Sequence, residues 1–305
     1  MLPHQAESAE VILAEVGEPG SRGSLPAGTR VGPVKLQVSH VEQSLAFYTD
    51  VLGLRLLARD GGRAELGAFE DDRVLIELNE RSGARPVPRR GRLGLYHYAI
   101  LLPERAALGR LLRHFADIGA RVGAGDHLVS EALYLSDPDG LGIEVYADRP
   151  RKTWRRVGRE IEMATDPIDA EDLVRAGGDE PWDGMPAGTV IGHVHLHVGD
   201  LAQASAFYSD GLGLDRMVWS YPGALFLAAG GYHHHLGTNT WAGPDAVPPS
   251  DDDARLLEWT MVVPTASDVQ ATAARLQDAG IAFDRDDDEL VVRDPWSTAV
   301  RVRAE

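Results

Sequence analysis

The strongest constraint on this sequence is an internal repeat, because residues 34–54 return in altered form as residues 194–214. VKLQVSHVEQSLAFYTDVLGL is matched by VHLHVGDLAQASAFYSDGLGL, and both copies carry the triplet Ala-Phe-Tyr. A repeat of this kind indicates that one supersecondary unit has been copied. Each copy opens with a short apolar run and continues with apolar residues at a 3.6-residue period. This pattern predicts a strand followed by a helix.

Each half of the chain also contains a weaker second copy of this unit. HYAILLPERAALGRLLRHFADIG at residues 97–119 is echoed by EWTMVVPTASDVQATAARLQDAG at residues 258–280. Short strands separated by glycine follow every copy, so the repeating unit reads as βαβββ. Such a unit cannot cover its own sheet, and two units must pair in an α+β fold. We therefore predict four modules, near residues 31–80, 94–148, 189–241 and 256–303.

The repeat also divides the chain into regions. Residues 1–30 show no sustained period and are expected to form an N-terminal arm. Residues 31–148 hold the first two modules and residues 189–305 hold the last two. The Arg- and Asp-rich residues 149–188 are expected to connect these two regions.

The charge and composition narrow the classes of partner. Thirty Lys and Arg residues against 47 Asp and Glu residues give a net charge of −17, which disfavours nucleic acid and anionic lipid as partners. The chain has no cysteine, so thiolate catalysis, disulfides and iron–sulfur clusters are excluded and any metal must be held by His and carboxylate. No apolar run reaches the roughly 18 residues that a membrane helix needs, and no signal peptide is recognisable. We expect a soluble, cytoplasmic protein.

Four phrases, taken in order, resemble the vicinal oxygen chelate superfamily of glyoxalases, bleomycin resistance proteins and extradiol dioxygenases. More narrowly, they are similar to bacterial catechol 2,3-dioxygenases, and the resemblance covers residues 31–303. It implies cupped sheets made by paired modules, with a divalent metal held by residues of first and last strands. The phrases are GLYHYAILLP from Gly94, GDHLVSEALYLSDPDGLGIEVYADRP from Gly125, IGHVHLHV from Ile191 and GGYHHHLGTNTW from Gly230.

The metal-ligand positions that the resemblance implies, one on the first strand and one on the last, can be identified in all four modules. The first-strand positions are 64 residues apart in the first half and 65 apart in the second, and the last-strand positions are 67 apart in both. Only modules two and three supply histidine. In module order, the first-strand residues are Pro33, His97, His193 and Glu258, and the last-strand residues are Glu77, Glu144, His234 and Arg301.

His97, His193 and Glu144 make the two-histidine, one-carboxylate set that suits non-haem Fe(II), because it leaves coordination positions open for substrate and dioxygen. Mn(II) accepts the same ligands. If modules paired in sequence order, Arg301 would place a permanent cation beside a divalent metal, which electrostatics disfavours. We therefore predict that modules two and three pair around the metal, and that modules one and four pair without one.

The resemblance also implies catalytic residues near the metal. His234 occupies the position of an acid/base histidine, whose ordinary pKa lies near neutral pH. In a strand, His233 and His235 would face the other way, so a register error of one residue would exchange them. His127 and Tyr134 correspond to residues that contact substrate oxygens. We take Tyr134 as catalytic and His127 as substrate-binding, although a buried structural tyrosine would give the same pattern.

Four further residues are candidates for substrate binding. At the two-residue period of a strand, His195 and His197 share a face with His193 and would line the cup, either as hydrogen-bonding groups or as satisfied interior residues. Asn239 and Trp241 follow the histidine tract and would either close the pocket or anchor the loop.

Together these features predict an extradiol ring-cleaving dioxygenase. Its partners would be a catechol or substituted catechol and dioxygen, and its product a 2-hydroxymuconic semialdehyde. The alternatives are a non-redox, glyoxalase-like isomerase or lyase with the same metal site, and a protein of this fold that sequesters a small molecule. We expect a homo-oligomer.

Overall fold

The computed structural model describes residues 16–286 and 288–305, so that half of the predicted N-terminal arm lies outside the described residues. Within this part, the chain forms two eight-stranded mixed sheets, a two-stranded hairpin and five α-helices. No described helix is both long and apolar enough to cross a membrane. The strands are β1 (Arg30–Val38), β2 (Arg55–Asp60), β3 (Arg63–Gly67), β4 (Val74–Glu80), β5 (Gly94–Leu101), β6 (Gly123–Asp126), β7 (Ser130–Ser136), β8 (Gly142–Asp148), β9 (Arg156–Val157), β10 (Glu160–Ile161), β11 (Val190–His197), β12 (Asp215–Val218), β13 (Ala224–Ala228), β14 (Leu236–Asn239), β15 (Arg255–Val263), β16 (Phe283–Asp286), β17 (Glu289–Arg293) and β18 (Ala299–Ala304).

The helices follow the first strand of each module or lie in the connecting segment. Two short helices, α1 and α4, each continue into a π-helical turn, at Phe47–Val51 and Ser205–Gly211. The helices are α1 (Val41–Ala46), α2 (Arg105–Asp117), α3 (Ala170–Ala176), α4 (Leu201–Ala204) and α5 (Ala266–Asp278).

The strand order confirms the predicted pairing of modules. One sheet has the order β12-β13-β14-β11-β5-β8-β7-β6 and combines modules two and three; we call it the site sheet. The other has the order β16-β17-β18-β15-β1-β4-β3-β2 and combines modules one and four; we call it the companion sheet. In every module the first and last strands are parallel neighbours, and the two modules of a sheet join through antiparallel first strands.

Strand alternation separates the core from the chemistry of the site sheet. On β11, Val194 and Leu196 enter the main hydrophobic core, whereas His193 and His195 point to the opposite face. On β5, Tyr98 and Ile100 are core residues. The apolar face is therefore buried against helices and the companion sheet, which leaves the polar face to form a cup.

The repeated Phe-Tyr pair ties consecutive modules together. Tyr48 donates a hydrogen bond to Asp137 of the second module at 3.2 Å, and Tyr208 donates one to Asp294 of the fourth at 2.8 Å. All four side chains are buried. The two sheets are thus linked by the same contact in both halves of the chain.

The connecting residues 149–188 run from β8 to β11 and add the hairpin β9–β10 and helix α3. Residues 16–29 lie against the third module, where Glu18 forms a bridge with Arg216 and the amide of Leu25 donates to the carbonyl of Gly213.

Candidate metal centre

Three neighbouring strands bring the metal-binding residue types to one point. Ala99 on β5 pairs with Glu144 on β8 and with His193 on β11. His97 lies two residues before Ala99 and so faces the same side of the sheet. Because Ala99 has a small side chain, the three larger side chains can converge above it. All three are buried, with at most 6% of the surface of each residue exposed.

The distances between the donor atoms fit a single metal ion. Nε2 of His97 lies 3.0 Å from Oε2 of Glu144 and 3.3 Å from Nε2 of His193, and the third side of the triangle, from His193 to Glu144, is 3.3 Å. Two donors bonded at right angles to one ion at about 2.1 Å lie about 3 Å apart. The triangle therefore has the size expected for three ligands of one ion.

The electrostatics of the triangle favour the forms that bind a cation. Burial would raise the pKa of Glu144, but the imidazoles of His193 and His97 outweigh this effect and hold the pKa well below its usual value. Burial lowers the pKa of His193 to about 4. A carboxylate and a neutral imidazole at neutral pH are the protonation states that metal ligands require.

The histidine tract approaches this triangle from a loop. His233, His234 and His235 end directly before β14, so the predicted alternation along a strand does not apply to them. His234 packs its ring against His193, with the ring centroids 4.1 Å apart. His235 stacks instead on Tyr232.

A cavity of about 300 Å³ opens beside the triangle. His97, Glu144 and His234 form part of its wall, whereas His233 and His235 are absent from the lining residues that the described structure provides. Burial lowers the pKa of His234 well below its usual value, which leaves this imidazole neutral. The lining consists of Tyr96, His97, Gly123, Ala124, His127, Tyr134, Glu144, Met163, Ala164, Thr165, His195, Tyr221, Phe226, His234 and Trp241.

The sequence matches the family model described as the Glyoxalase/Bleomycin resistance protein/Dioxygenase superfamily over residues 30–145 and 190–295. The chain belongs to this superfamily. Within it, a protein named catechol-2,3-dioxygenase from Bacillus subtilis (strain 168) is 46% identical over 280 residues, which cover 90% of this chain and 97% of that protein.

Solved structures share the superfamily fold. A provisionally named dioxygenase from Bacillus subtilis subsp. subtilis str. 168 superposes with a TM-score of 0.60 at 15% identity, over 92% of this chain and 86% of that chain. Glyoxalase I from Zea mays superposes with a TM-score of 0.53 at 17% identity, over 90% and 92%. Proteins named dioxygenase and glyoxalase therefore share this architecture.

The last-strand position of the third module is not occupied by the residue that the sequence spacing predicted. Glu144 pairs with Ala99, two residues after His97, and the corresponding partner of His195, two residues after His193, is Gly237. The prediction that His234 holds the last-strand position was therefore wrong, because the chain between β13 and β14 loops before it enters the strand. A Cβ at Gly237 would lie 2.8 Å from the His195 ring, so glycine makes room for that ring.

His127 and Tyr134 form a pair on the cavity wall. Tyr134 lies directly across from Glu144 in the β7–β8 ladder, and its hydroxyl makes a hydrogen bond with Nε2 of His127. Nδ1 of His127 donates to the carbonyl of Ala164 at 2.7 Å. Burial raises the pKa of Tyr134, so its hydroxyl stays protonated and donates to Nε2 of His127, which is the acceptor nitrogen because Nδ1 carries the ring proton.

His195 and Trp241 line the cavity, whereas His197 and Asn239 lie behind it. The Asn239 amide donates to Nε2 of His195 at 2.9 Å, and Nδ1 of His197 donates to the Asn239 oxygen at 2.6 Å. The Trp241 amide also donates to that oxygen. This placement favours a role for Asn239 and His197 in orienting His195 rather than in direct contact with a substrate.

Sequence reasoning missed several residues of the cavity wall. Met163, Ala164 and Thr165 come from the connecting segment, which carries no periodic signal. Phe226 lies on β13, where every residue is buried and alternation gives no distinction. Tyr96 immediately precedes His97, and an aromatic side chain beside a predicted metal ligand could have marked it as a residue of the cavity wall.

Proposed function

We propose that this protein is an extradiol ring-cleaving dioxygenase that converts catechol or a substituted catechol to a 2-hydroxymuconic semialdehyde. The observation that carries the proposal is the triangle of two imidazoles and one carboxylate, which borders a cavity equipped with His234 and the His127–Tyr134 pair. The 46% identity to a protein named catechol-2,3-dioxygenase supports the same reaction class.

We propose that His97, His193 and Glu144 hold Fe(II), with Mn(II) as the alternative. When bound, such a metal supplies the electronic coupling that allows a catechol to react with dioxygen. The three residues provide two neutral nitrogen donors and one anionic oxygen donor, a set that suits either ion.

His234 acts as the acid/base residue in this proposal. Its neutral imidazole lies at the cavity wall and can accept a proton from a catechol hydroxyl, and it can return that proton later in the reaction. Such a group contributes about 10²- to 10⁴-fold to turnover in enzymes.

The remaining wall binds and orients the ring. The Tyr134 hydroxyl oxygen offers an acceptor to a substrate hydroxyl next to Glu144, and His127 fixes the orientation of Tyr134. Phe226, Met163 and Trp241 provide apolar surface that excludes water from the reacting groups.

The charge of the wall favours catechols without an anionic substituent. No lysine or arginine lines the cavity among residues 16–286 and 288–305, so a substituent away from the metal ligands would meet no cationic side chain. A carboxylate-bearing catechol would enter without a counter-ion and would pay for desolvation. We expect kcat/KM for 3,4-dihydroxybenzoate to be at least about 100-fold below that for catechol, for a loss of about 3 kcal/mol.

The decisive experiment measures oxygen uptake by protein that has been purified without oxygen, reloaded with Fe(II) or Mn(II) and mixed with catechol. We expect one dioxygen consumed for each yellow ring-cleavage product formed. Metal-free protein is the control. A tightly bound metal without oxygen uptake would instead favour a non-redox reaction at the same site.

A further inference from the structure

We propose that Asp148 and His233 are positioning residues that fix the ring orientation and the tautomer of His234. This inference rests on the proposed function, in which His234 accepts a proton from the substrate. It adds two residues that do not line the cavity and that neither the repeat nor the metal-ligand pattern identifies.

A continuous chain of hydrogen bonds links the three side chains. Asp148 is the last residue of β8, and its Oδ1 lies 2.9 Å from Nε2 of His233. Nδ1 of His233 lies 2.8 Å from Nδ1 of His234. His233 is fully buried, whereas 26% of the Asp148 side chain is exposed. The chain therefore runs from a partly solvated carboxylate to an imidazole on the cavity wall.

The hydrogen-bonding capacity of each atom determines where the protons lie. A carboxylate is an acceptor, so Nε2 of His233 must carry the proton that it donates to Asp148. In a neutral imidazole the other nitrogen is then an acceptor. The proton between the two Nδ1 atoms consequently belongs to His234. Nε2 of His234 is left as an unprotonated acceptor, which is the form that a general base requires.

Surrounding groups hold Asp148 and His233 in place. The Tyr232 hydroxyl donates to Oδ1 of Asp148 at 3.3 Å and makes a 2.7 Å hydrogen bond with the Tyr146 hydroxyl. The ring of Trp154 packs edge-on against His233 with centroids 5.2 Å apart. A Cβ at Gly192 would lie 1.9 Å from the Tyr146 hydroxyl, so glycine beside His193 admits this tyrosine.

The first test reads the tautomer directly and needs no turnover. The protein is labelled with ¹⁵N-histidine and loaded with Zn(II), a diamagnetic ion that binds the same ligand types. We expect the nitrogen shifts of His234 to show a protonated Nδ1 and an unprotonated Nε2. Asp148→Asn, whose amide can donate to Nε2 of His233, should shift the population toward a protonated Nε2 on His234.

The second test compares turnover with binding. We expect Asp148→Asn to lower kcat for catechol by about 10- to 100-fold, with metal content and KM unchanged, and Asp148→Glu to restore part of the loss. His233→Leu, which removes the acceptor for Nδ1 of His234, should behave like Asp148→Asn. In His233→Gln the side-chain carbonyl can accept that proton, so this variant should retain more activity than His233→Leu.

His235→Gln is the matched control. His235 is in the same tract, but it bonds the amide of Ala229 and lies outside the Asp148 chain, so we expect an unchanged kcat. The proposal is overturned if His234 carries its proton on Nε2 in the unaltered protein, or if Asp148→Asn and His233→Leu keep full kcat. A failure of catechol cleavage in the unaltered protein would contradict the proposed function alone, because the tautomer is read without substrate.

Discussion

The site sheet and the companion sheet share one topology but fill the centre of their cups in opposite ways. In the site sheet, two imidazoles and one carboxylate converge, with their donor atoms within 3.3 Å of one another. In the companion sheet, Glu258 bonds Arg301 at 2.8 Å, and Arg301 also bonds Glu289 at 2.8 Å. Arg301 pairs with Thr260, two residues after Glu258, just as Glu144 pairs with Ala99, two residues after His97.

The difference shows that the side chains, and not the shared backbone topology, determine whether a cup presents a set of metal-ligand groups. In one sheet the lone pairs of three ligand-type groups converge on one point, and such a cluster gains stability when a metal binds. In the other sheet Glu258 and Glu289 already share the guanidinium of Arg301 as their partner. A cation brought to that cup would have to displace Arg301.

Removing a donor from the site sheet should have the largest effect. We expect His97→Ala, His193→Ala and Glu144→Ala to weaken metal binding by more than about 100-fold, since loss of an outer partner alone costs about 10- to 100-fold. Turnover should disappear with the metal. Metal content after dialysis, together with oxygen uptake, measures both effects.

The equivalent change in the companion sheet is the matched control. Glu258→Gln alters the residue at the same first-strand position and should leave metal content and turnover unchanged. Metal loss in this variant, or full metal retention in all three site-sheet variants, would contradict the assignment of the two cups.

His234→Gln separates chemistry from metal binding within the site sheet. This residue lies on the cavity wall but outside the donor triangle, so the metal should stay bound. We expect kcat to fall by about 10²- to 10⁴-fold, as for other acid/base residues. Single-turnover kinetics with the metal content quantified in parallel would show this split, and a variant that lost its metal would place His234 among the ligands instead.

Both halves of the chain contain a buried aspartate whose raised pKa should make the stability of the fold depend on pH. Burial raises the pKa of Asp137 to about 7, against about 3.9 in an unfolded chain. The folded state therefore binds the proton more tightly, and the free energy of unfolding should fall as pH rises from about 4 to about 7, by at most about 1.4 kcal/mol per unit. Burial likewise raises the pKa of Asp294.

Urea unfolding at pH 5 and pH 8 tests this dependence, with Asp137→Asn as the comparison. The variant should lose less stability between these two pH values than the unaltered protein does. An identical loss in both proteins would mean that Asp137 is ionised in the folded state.

The smallest expected effect concerns the ion pairs of the companion sheet. Arg301→Met leaves Glu258 and Glu289 without their partner, and we expect a loss of about 1–2 kcal/mol because the three side chains are partly exposed. Combining it with Glu258→Gln should recover part of that loss. Urea titration measures the free energies, and oxygen uptake should not change; additive losses in the double variant would argue against coupling between the two residues.

The sequence predicted those features that the repeat and the strand period control. The four modules follow from the copied pattern, because an unpaired module cannot bury its sheet. Which modules pair followed from the cost of placing Arg301 beside a divalent metal. The convergence of His97, Glu144 and His193 was expected from the resemblance, which implies metal ligands on the first and last strands of paired modules. Each of these residues lies inside a regular strand, where alternation fixes the face.

Features that depend on loops could not be predicted from the repeat or from the strand period. His234 reaches the cavity from a loop, so that Gly237 takes the strand position that the spacing had assigned to the histidine. The bond between Asp148 and His233 joins residues 85 positions apart that no repeat relates. Met163 and Thr165 enter the wall from a segment without periodicity, and tertiary contacts decide its path.

The pairing of modules has a consequence for the order in which the chain folds. Both modules of the site sheet lie within residues 94–239, whereas β1 must wait for β15, which is made more than 200 residues later. During synthesis the site sheet can close first, while the first module is held without its final neighbour. In the folded chain Tyr48 forms hydrogen bonds with Tyr98 and Asp137 of the second module. These bonds can hold the first module against the second before β15 has been synthesised. The companion sheet is then completed when the strands β15 to β18 of the fourth module have been made.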